Sequence, residues 1–501
     1  MTVEDLATLK RMGSVAVSPD EKWAVYDVTE TEPESYERSS ALYLLDLNTP
    51  DAVPSRIADQ VGKSEHSPAY APDGSLYYLS DASDSEQLWH AVIAPGGNVG
   101  ESVQASDLKA DISGFKISHS GGKIALWGDI ARDCPTFGCE DDGNKAEPGP
   151  GTGREYDELF IRHWSSWETP GNYSRIFAFD LADGKVAGDG TALDGDLVGD
   201  SPSKPFGGGE EITWVPGEDG VFFTLRTADR NEPKSTNLDI YGAMVNGKET
   251  VNFTGQNKAT DTLPAFSSDG EWLAWAAMER PGYEADRLVV KLRKQGSDED
   301  EAIALTKDWD RSVGSIVWTP DNKHLIVTAQ EVLDHPAFAV EVETGKVTRL
   351  TPGGNVGSTI PLQDGSLIYT MNSLQAPTNL YRRSADGTIT QLTNINGPEL
   401  AEIDKVDIQR FDFVGADGEQ VWGQIIKPQG ATGKLPMAFL VHGGPQGSFG
   451  NSWSTRWNPK VMAAQGYAAV AIDFHGSVGY GQDFTDSINQ DWGGKPLEDL
   501  K

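Results

Sequence analysis

Basic charge is what this chain has least of. Its 76 acidic residues outnumber 41 basic ones, for a formal net charge of −35. Nucleic acid and anionic membranes repel such a surface, so neither is expected as a partner. Long hydrophobic runs are missing too: no stretch approaches the roughly 18 apolar residues that span a bilayer. The N-terminus, Met1-Thr2-Val3-Glu4-Asp5, has neither a basic start nor an apolar core, so no signal peptide is expected in these residues. Histidine is scarce: there are eight, none in H-E-x-x-H or a comparable spacing, which argues against a zinc enzyme. The two cysteines, Cys134 and Cys139, sit in C-P-T-F-G-C. A local disulfide in an oxidising compartment and two free thiols in a loop fit that spacing equally.

What is present is enough apolar material for packed cores. The hydrophobic fraction is 38 % and the aromatic fraction 9 %, which excludes global disorder. A length of 501 residues corresponds to two to four domains. A turn signal then recurs, each time ahead of an apolar alternating run. It reads Ser18-Pro19-Asp20, Ala71-Pro72-Asp73-Gly74, Ser120-Gly121-Gly122, Glu218-Asp219-Gly220, Ser268-Asp269-Gly270, Thr319-Pro320-Asp321 and Gln363-Asp364-Gly365. Anchored on residues 20, 73, 121, 219, 269, 321 and 364, the steps are 53, 48, 98, 50, 52 and 43. Proline fixes φ and Asp-Gly supplies the turn, so each signal marks a tight hairpin. Further strand patterns follow at Leu42–Leu47, Leu88–Ile93, Asp239–Val245, Leu288–Leu292 and Asn379–Arg382. Strands in short succession with a period near 50 match one four-stranded propeller blade per repeat. A single blade cannot bury both faces, so blades stack and close into a ring. The expectation is an all-β propeller of seven blades within residues 1–403. The long step places an insertion at about 128–174, with a Gly/Pro/Asp-rich loop followed by an acidic and aromatic segment. An insertion of that length in a rigid scaffold points to function.

After residue 400 the texture changes. Val406–Val414 and Val421–Lys427 read as a hairpin. Leu435–Val441 and Tyr467–Phe474 read as strands apolar on both faces, with a helix over Pro459–Gln465 stopped by Gly466 and another starting at Glu498. Strand-helix-strand alternation opens an α/β domain, here 404–501. If nothing covers these strands, they present an apolar sheet edge. Val441-His442-Gly443-Gly444-Pro445 stands at the end of the first of them. Adjacent glycines leave backbone N–H groups open to an approaching oxyanion.

The chain resembles the prolyl oligopeptidase family of serine peptidases, over nearly its whole length. The residues that carry the resemblance are His442-Gly443-Gly444-Pro445, Asp473-Phe474-His475-Gly476-Ser477-Val478-Gly479-Tyr480-Gly481, Asp491-Trp492-Gly493-Gly494 and Leu497-Glu498-Asp499. Within the family, the chain resembles the dipeptidyl peptidase V branch and its acylaminoacyl-peptidase relatives. Tyr156-Asp157…Arg162-His163-Trp164, Lys204-Pro205-Phe206-Gly207-Gly208 with Glu210-Glu211, and Met278-Glu279-Arg280…Gly282-Tyr283-Glu284-Ala285-Asp286 carry that part. His475 departs from it, standing where many members have Arg. The resemblance implies a seven-bladed β-propeller followed by the incomplete N-terminal half of an α/β-hydrolase domain. It implies a serine exopeptidase that releases dipeptides by acyl transfer, with Gly444 N–H as one oxyanion donor. An acylaminoacyl peptidase or oligopeptidase of the same family, or a non-catalytic propeller scaffold that binds proteins, are the alternatives.

The reaction needs a Ser on a G-x-S-x-G elbow, followed in order by Asp and His. No G-x-S-x-G occurs in these residues, and His442 and His475 precede any position the elbow takes in this order. The nucleophile and both partners are therefore expected beyond Lys501, and the chain as given is expected to be inactive. A dipeptidyl peptidase also needs a carboxylate for the free α-amine of its substrate. Glu155, Asp157, Glu158, Glu210 and Glu211 are the candidates. No cofactor or metal is implied. Short peptides are the implied substrates, a homo-oligomer is among the assemblies the resemblance allows, and it places such enzymes in the periplasm or outside the cell.

Overall fold

The computed structural model describes residues 1–57, 63–94, 96–139, 153, 156, 160–163, 166–217, 219–246, 249–403 and 405–501. Six of the seven turn signals lie between the first and second strands of an antiparallel sheet, and Asp219-Gly220 leads into the third strand of the fourth sheet. Arg11–Val17 and Trp23–Thr31 flank the first, Asp261–Phe266 and Trp272–Ala277 the fifth, Asn355–Pro361 and Leu367–Asn372 the last. The reason is local. The carboxylates of Asp20, Asp73, Asp269, Asp321 and Asp364 each accept from the backbone N–H two residues on. Ser120 Oγ does the same for Gly122. Hydroxyls of Ser18, Ser267, Thr319 and Ser366 bond the same carboxylates and hold Asp20, Asp269, Asp321 and Asp364 below the usual carboxylate range. The turns also need a left-handed residue. Gly74, Gly121, Gly270 and Gly365 supply it, and Glu21 and Asn322 adopt it where glycine is absent.

Seven sheets follow in chain order, within residues 11–57, 65–104, 114–192, 199–252, 261–304, 313–349 and 355–391. The fourth has five strands and the others four. The core lies between sheets, not inside any one of them. Val25 and Leu42 of the first pack on Leu76 and Tyr78 of the second. Equivalent seams join second to third, third to fourth, and so on to the seventh. Tyr26 and Leu45 of the first sheet then pack on Ile368 and Leu380 of the seventh, so the series closes on itself.

The long step is a hairpin extension within the third sheet. Lys123–Ala131 and Asn172–Ala182 pair without interruption up to Ala131↔Asn172, where the chain leaves the pair. A disulfide joins Cys134 to Cys139 at its base. Between them Phe137 sits edge-on against Phe177 and Phe179. Further along, Arg162–His163 pairs with Ser166–Trp167 as a two-stranded ribbon.

An eighth sheet has strand order Val406–Val414, Gln420–Pro428, Ala468–Asp473, Met437–Leu440, and its last pair is parallel. The helix Pro459–Ala464 between the parallel strands covers one face. Ala468–Asp473 is central and largely buried. Met437–Leu440 pairs on one side only within these residues, and it presents the apolar edge expected of an uncovered strand, with Met437 60 % and Phe439 37 % exposed. The first helix, Val3–Thr8, is capped by a reciprocal Thr2–Asp5 box. Its Leu6 packs with Leu9, Ile403, Trp453 and Val461, so the first residues lie against the last quarter of the chain. Among the described residues no helix is long and apolar enough to cross a membrane.

Candidate active site

The parallel pair brings the C-terminal ends of Met437–Leu440 and Ala468–Asp473 side by side. That end of a parallel sheet is where loops build ligand sites. Here the loops are 441–450 and 474–481. His442 stacks on Phe474 with ring centroids 4.3 Å apart, and its Nε2 lies 3.0 Å from Ser477 Oγ. Gly443 and Gly444 follow, with φ +91° at Gly444, and a Cβ built on either meets nothing within 4 Å. Their backbone is open on that side. A tight turn comes next: Gln446 N donates to Gly444 O and Gly447 N to Pro445 O, while Val478 N donates to Gly447 O.

Asp473 closes the turn from below. Its carboxylate, fully buried, accepts from Ser448 Oγ at 2.6 Å, Tyr480 OH at 2.9 Å and Phe449 N at 3.1 Å. Burial pushes this carboxyl up to about 6 against the pull of those three donors. Burial likewise lowers the His442 imidazole.

Ser477, His442 and Asp473 sit together without forming a triad. Ser477 is fully buried and donates to Phe474 O at 2.7 Å, so it accepts from His442 Nε2. That is the reverse of a nucleophile–base pair. Asp473 approaches the same nitrogen, at 4.0 Å, instead of orienting the other one. His475 is also structural. It is fully buried, with Nδ1 2.7 Å from Asp499 and Nε2 3.2 Å from Glu419, and it stacks on Phe484. The imidazole thus ties three segments together at the position where the resemblance expects a guanidinium.

Gly444 lines a cavity of about 730 Å³. Gln446, Val478 and Gln482 share its wall, and the opposite wall comes from Tyr283, Glu284, Asp310 and neighbouring residues of the fourth to sixth sheets. Charged contacts hold the two sides together. Arg280 pairs in bidentate fashion with Asp486 at 2.6 and 3.0 Å and with Asp286 at 2.6 Å. Asp334 accepts two bonds from Arg410, at 2.8 and 2.6 Å, and others from Asn451 and Gly354 N.

Neither of the two described amine-binding candidates reaches this cavity. Glu155, Asp157 and Glu158 lie outside the described residues. Glu210 and Glu211 form the 3-10 turn Gly209–Glu211, and neither lines the cavity that holds Gly444. Glu211 is buried and already occupied: Ser203 N, Ser203 Oγ and Thr262 Oγ1 bond it at 2.7, 2.8 and 3.0 Å. Glu210 is exposed, and its charge faces Lys116. Described residues of the insertion, Tyr156, Phe160 and Glu168, line a separate cavity of about 270 Å³ together with Glu232. Pro233 and Lys234, next in sequence, line the larger one. Three acids on the main cavity wall were not among the candidates: Asp286, which Arg280 already bonds, Asp310, and Glu284, which is exposed. Glu284 stands in the segment 278–286, whose likeness to the family was visible while its side of the fold was not.

Comparison with known proteins agrees with this geometry. The model of the prolyl oligopeptidase family matches residues 453–501. The chain is 30 % identical, over its full length and 72 % of the relative's, to dipeptidyl-peptidase 5 of Aspergillus fumigatus. It is 31 % identical, over the same shares, to the probable dipeptidyl-peptidase 5 of Aspergillus clavatus. Among solved structures, the acylaminoacyl peptidase of Pyrococcus horikoshii superposes with TM-score 0.75 at 19 % identity, over the full chain and 71 % of that protein. A puromycin-hydrolyzing peptidase of Mycobacterium tuberculosis gives 0.64 at 15 %, over the full chain and 72 % of that protein.

Proposed function

Because this chain belongs to the prolyl oligopeptidase family, its parent enzyme is a serine peptidase acting on peptides, and we propose that it releases dipeptides from free N-termini. One observation carries the reading: Gly444 is open on the wall of a cavity that residues of the fourth to sixth sheets line on its far side. In this reading the ring is a seven-bladed propeller within 1–403 that admits only short peptides. Residues 404–501, joined by the helix Val3–Thr8, form the leading part of an α/β-hydrolase domain. The pairwise seams between sheets and the mixed parallel sheet support both assignments.

The reaction uses a nucleophilic Ser on a G-x-S-x-G elbow, which residues 1–501 do not contain. Its Oγ attacks the scissile carbonyl carbon while the triad His takes the hydroxyl proton. The carbonyl oxygen becomes an oxyanion facing Gly444 N–H, the C–N bond breaks, and the His proton leaves with the amine. Water then releases the dipeptide from the acyl-enzyme. A carboxylate holds the substrate's α-amine. Glu155, Asp157, Glu158 and Glu210 remain candidates, and Glu284 joins them by its place on the cavity wall. The Cys134–Cys139 disulfide supports a periplasmic or extracellular site of action.

The test uses a form of the enzyme that carries the elbow serine. Turnover of a free dipeptidyl substrate should exceed that of its N-acetylated analogue by at least about 100-fold in kcat/KM, the worth of a desolvated charge contact. A preference for the acetylated substrate would identify an acylaminoacyl peptidase instead.

A further inference from the structure

We propose that Asp473 is the positioning residue of the oxyanion loop, fixing Gly444 from both ends through one buried carboxylate and the ring beside it. This rests on the oxyanion role given to Gly444 above. The two glycines have no packing of their own on the open side, so something else must set their direction. Upstream, His442 is clamped by stacking on Phe474, the residue next to Asp473, and by Ser477. Downstream, Ser448 Oγ and Phe449 N both bond the Asp473 carboxylate. The turn between, with Gln446 N on Gly444 O and Gly447 N on Pro445 O, has no slack to absorb movement at either end.

The same carboxylate gathers the second loop. Tyr480 OH donates to it, and Val478 N reaches across to Gly447 O. Asp473 terminates the central strand Ala468–Asp473, which is bonded on both sides, so the anchor belongs to the most constrained element of this sheet. Such an arrangement spends a buried carboxylate on two loops and on no substrate. Its function is orientation: an oxyanion donor acts only when its N–H already points at the developing charge.

The test has two arms. In the 501-residue chain, amide hydrogen exchange is followed at Gln446, Gly447, Phe449 and Val478 for Asp473→Ala and for the double variant Ser448→Ala/Tyr480→Phe, which keeps the carboxylate and removes two of its donors. Both should speed exchange at these amides by about tenfold or more while Gln420–Pro428 and the seven sheets stay protected. Unchanged exchange at 446–449 overturns the proposal, as does equal loosening of Gln420–Pro428, which would mean a merely structural strand end. In the form that carries the nucleophile, Asp473→Ala should lower kcat by about 100-fold with KM within about threefold, and the isosteric Asp473→Asn should recover part of it. A loss that lies in KM overturns the proposal. A wild-type enzyme without peptidase activity would remove the reading of the function, and the exchange arm would still decide whether Asp473 orders the loop.

Discussion

Lys116 donates its ammonium to the carbonyls of Gly209 and Ile212, at the ends of the turn that carries Glu210 and Glu211. The residue is half-buried, with its charged end turned inward. Desolvation brings this amine down to about 8, with Glu210 pulling the other way. The sign of the consequence follows from linkage. Between about pH 8 and 10.5 the unfolded chain keeps a proton that the folded one has released, so this residue's cost to stability is full below pH 8 and relieved as pH rises through that window. Lys116→Met abolishes the effect and leaves two carbonyls without their donor, a loss that does not vary with pH. Urea unfolding at pH 7, 8.5 and 10 should show wild type gaining on Lys116→Met as pH rises; parallel curves would contradict the assignment. Residue types alone pointed to Glu210 and Glu211 as substrate ligands. What decides otherwise for Glu211 is three hydrogen bonds from Ser203 and Thr262, none of which a sequence pattern displays.

At the scale of elements, the third sheet carries the largest departure from the repeat, and one buried ion pair holds it. Arg175 and Asp194 are each 2 % exposed in their side chains and lie 2.6 Å apart. The guanidinium also donates to the carbonyls of Ala131 and Cys134, at the mouth of the hairpin extension. Asp194→Ala would strand a buried cation, at a cost of about 3–5 kcal/mol. Asp194→Asn keeps the shape and should cost less. Urea midpoints with unchanged slope would measure both, and a loss below about 1 kcal/mol in Asp194→Ala would mean that water already reaches the guanidinium. The sequence foretold an insertion here because the spacing doubled. It held no sign of this anchor, since Arg175 and Asp194 fall inside ordinary strand and turn patterns. Six of the seven hairpin turns were legible for the opposite reason: each is closed within a few residues of its own Asp or Ser.

For the whole molecule, two kinds of seam matter. Sheets of the ring meet through apolar side chains that exclude water, such as Tyr26, Leu45, Ile368 and Leu380 at the closure. The ring meets the mixed sheet partly through ions, Arg280 with Asp486 and Arg410 with Asp334, whose arginines are 41 % and 39 % exposed. Salt screens exposed charges and leaves apolar burial intact. Limited proteolysis in 1 M sodium chloride should therefore cut within residues 405–501 faster than at 0.05 M, while the ring resists equally at both. Equal resistance of 405–501 at the two concentrations would show that its attachment is apolar, through the packing of Leu6, Leu9, Ile403 and Trp453.

Whatever is closed over short distances or repeated often could be read from the order of residues. That covers the seven hairpin turns, the strands on either side of them, the Gly443-Gly444 step and the helix that Gly466 ends. These depend on φ, on side chains bonding neighbouring backbone and on period-two burial, all of which are local. Tertiary structure alone decided which polar groups are spent and which stay open. Glu211, Asp473 and His475 are consumed by partners 7 to 56 residues away. Long-range pairing fixes these outcomes, because a carboxylate or an imidazole is satisfied by whichever group the fold brings to it.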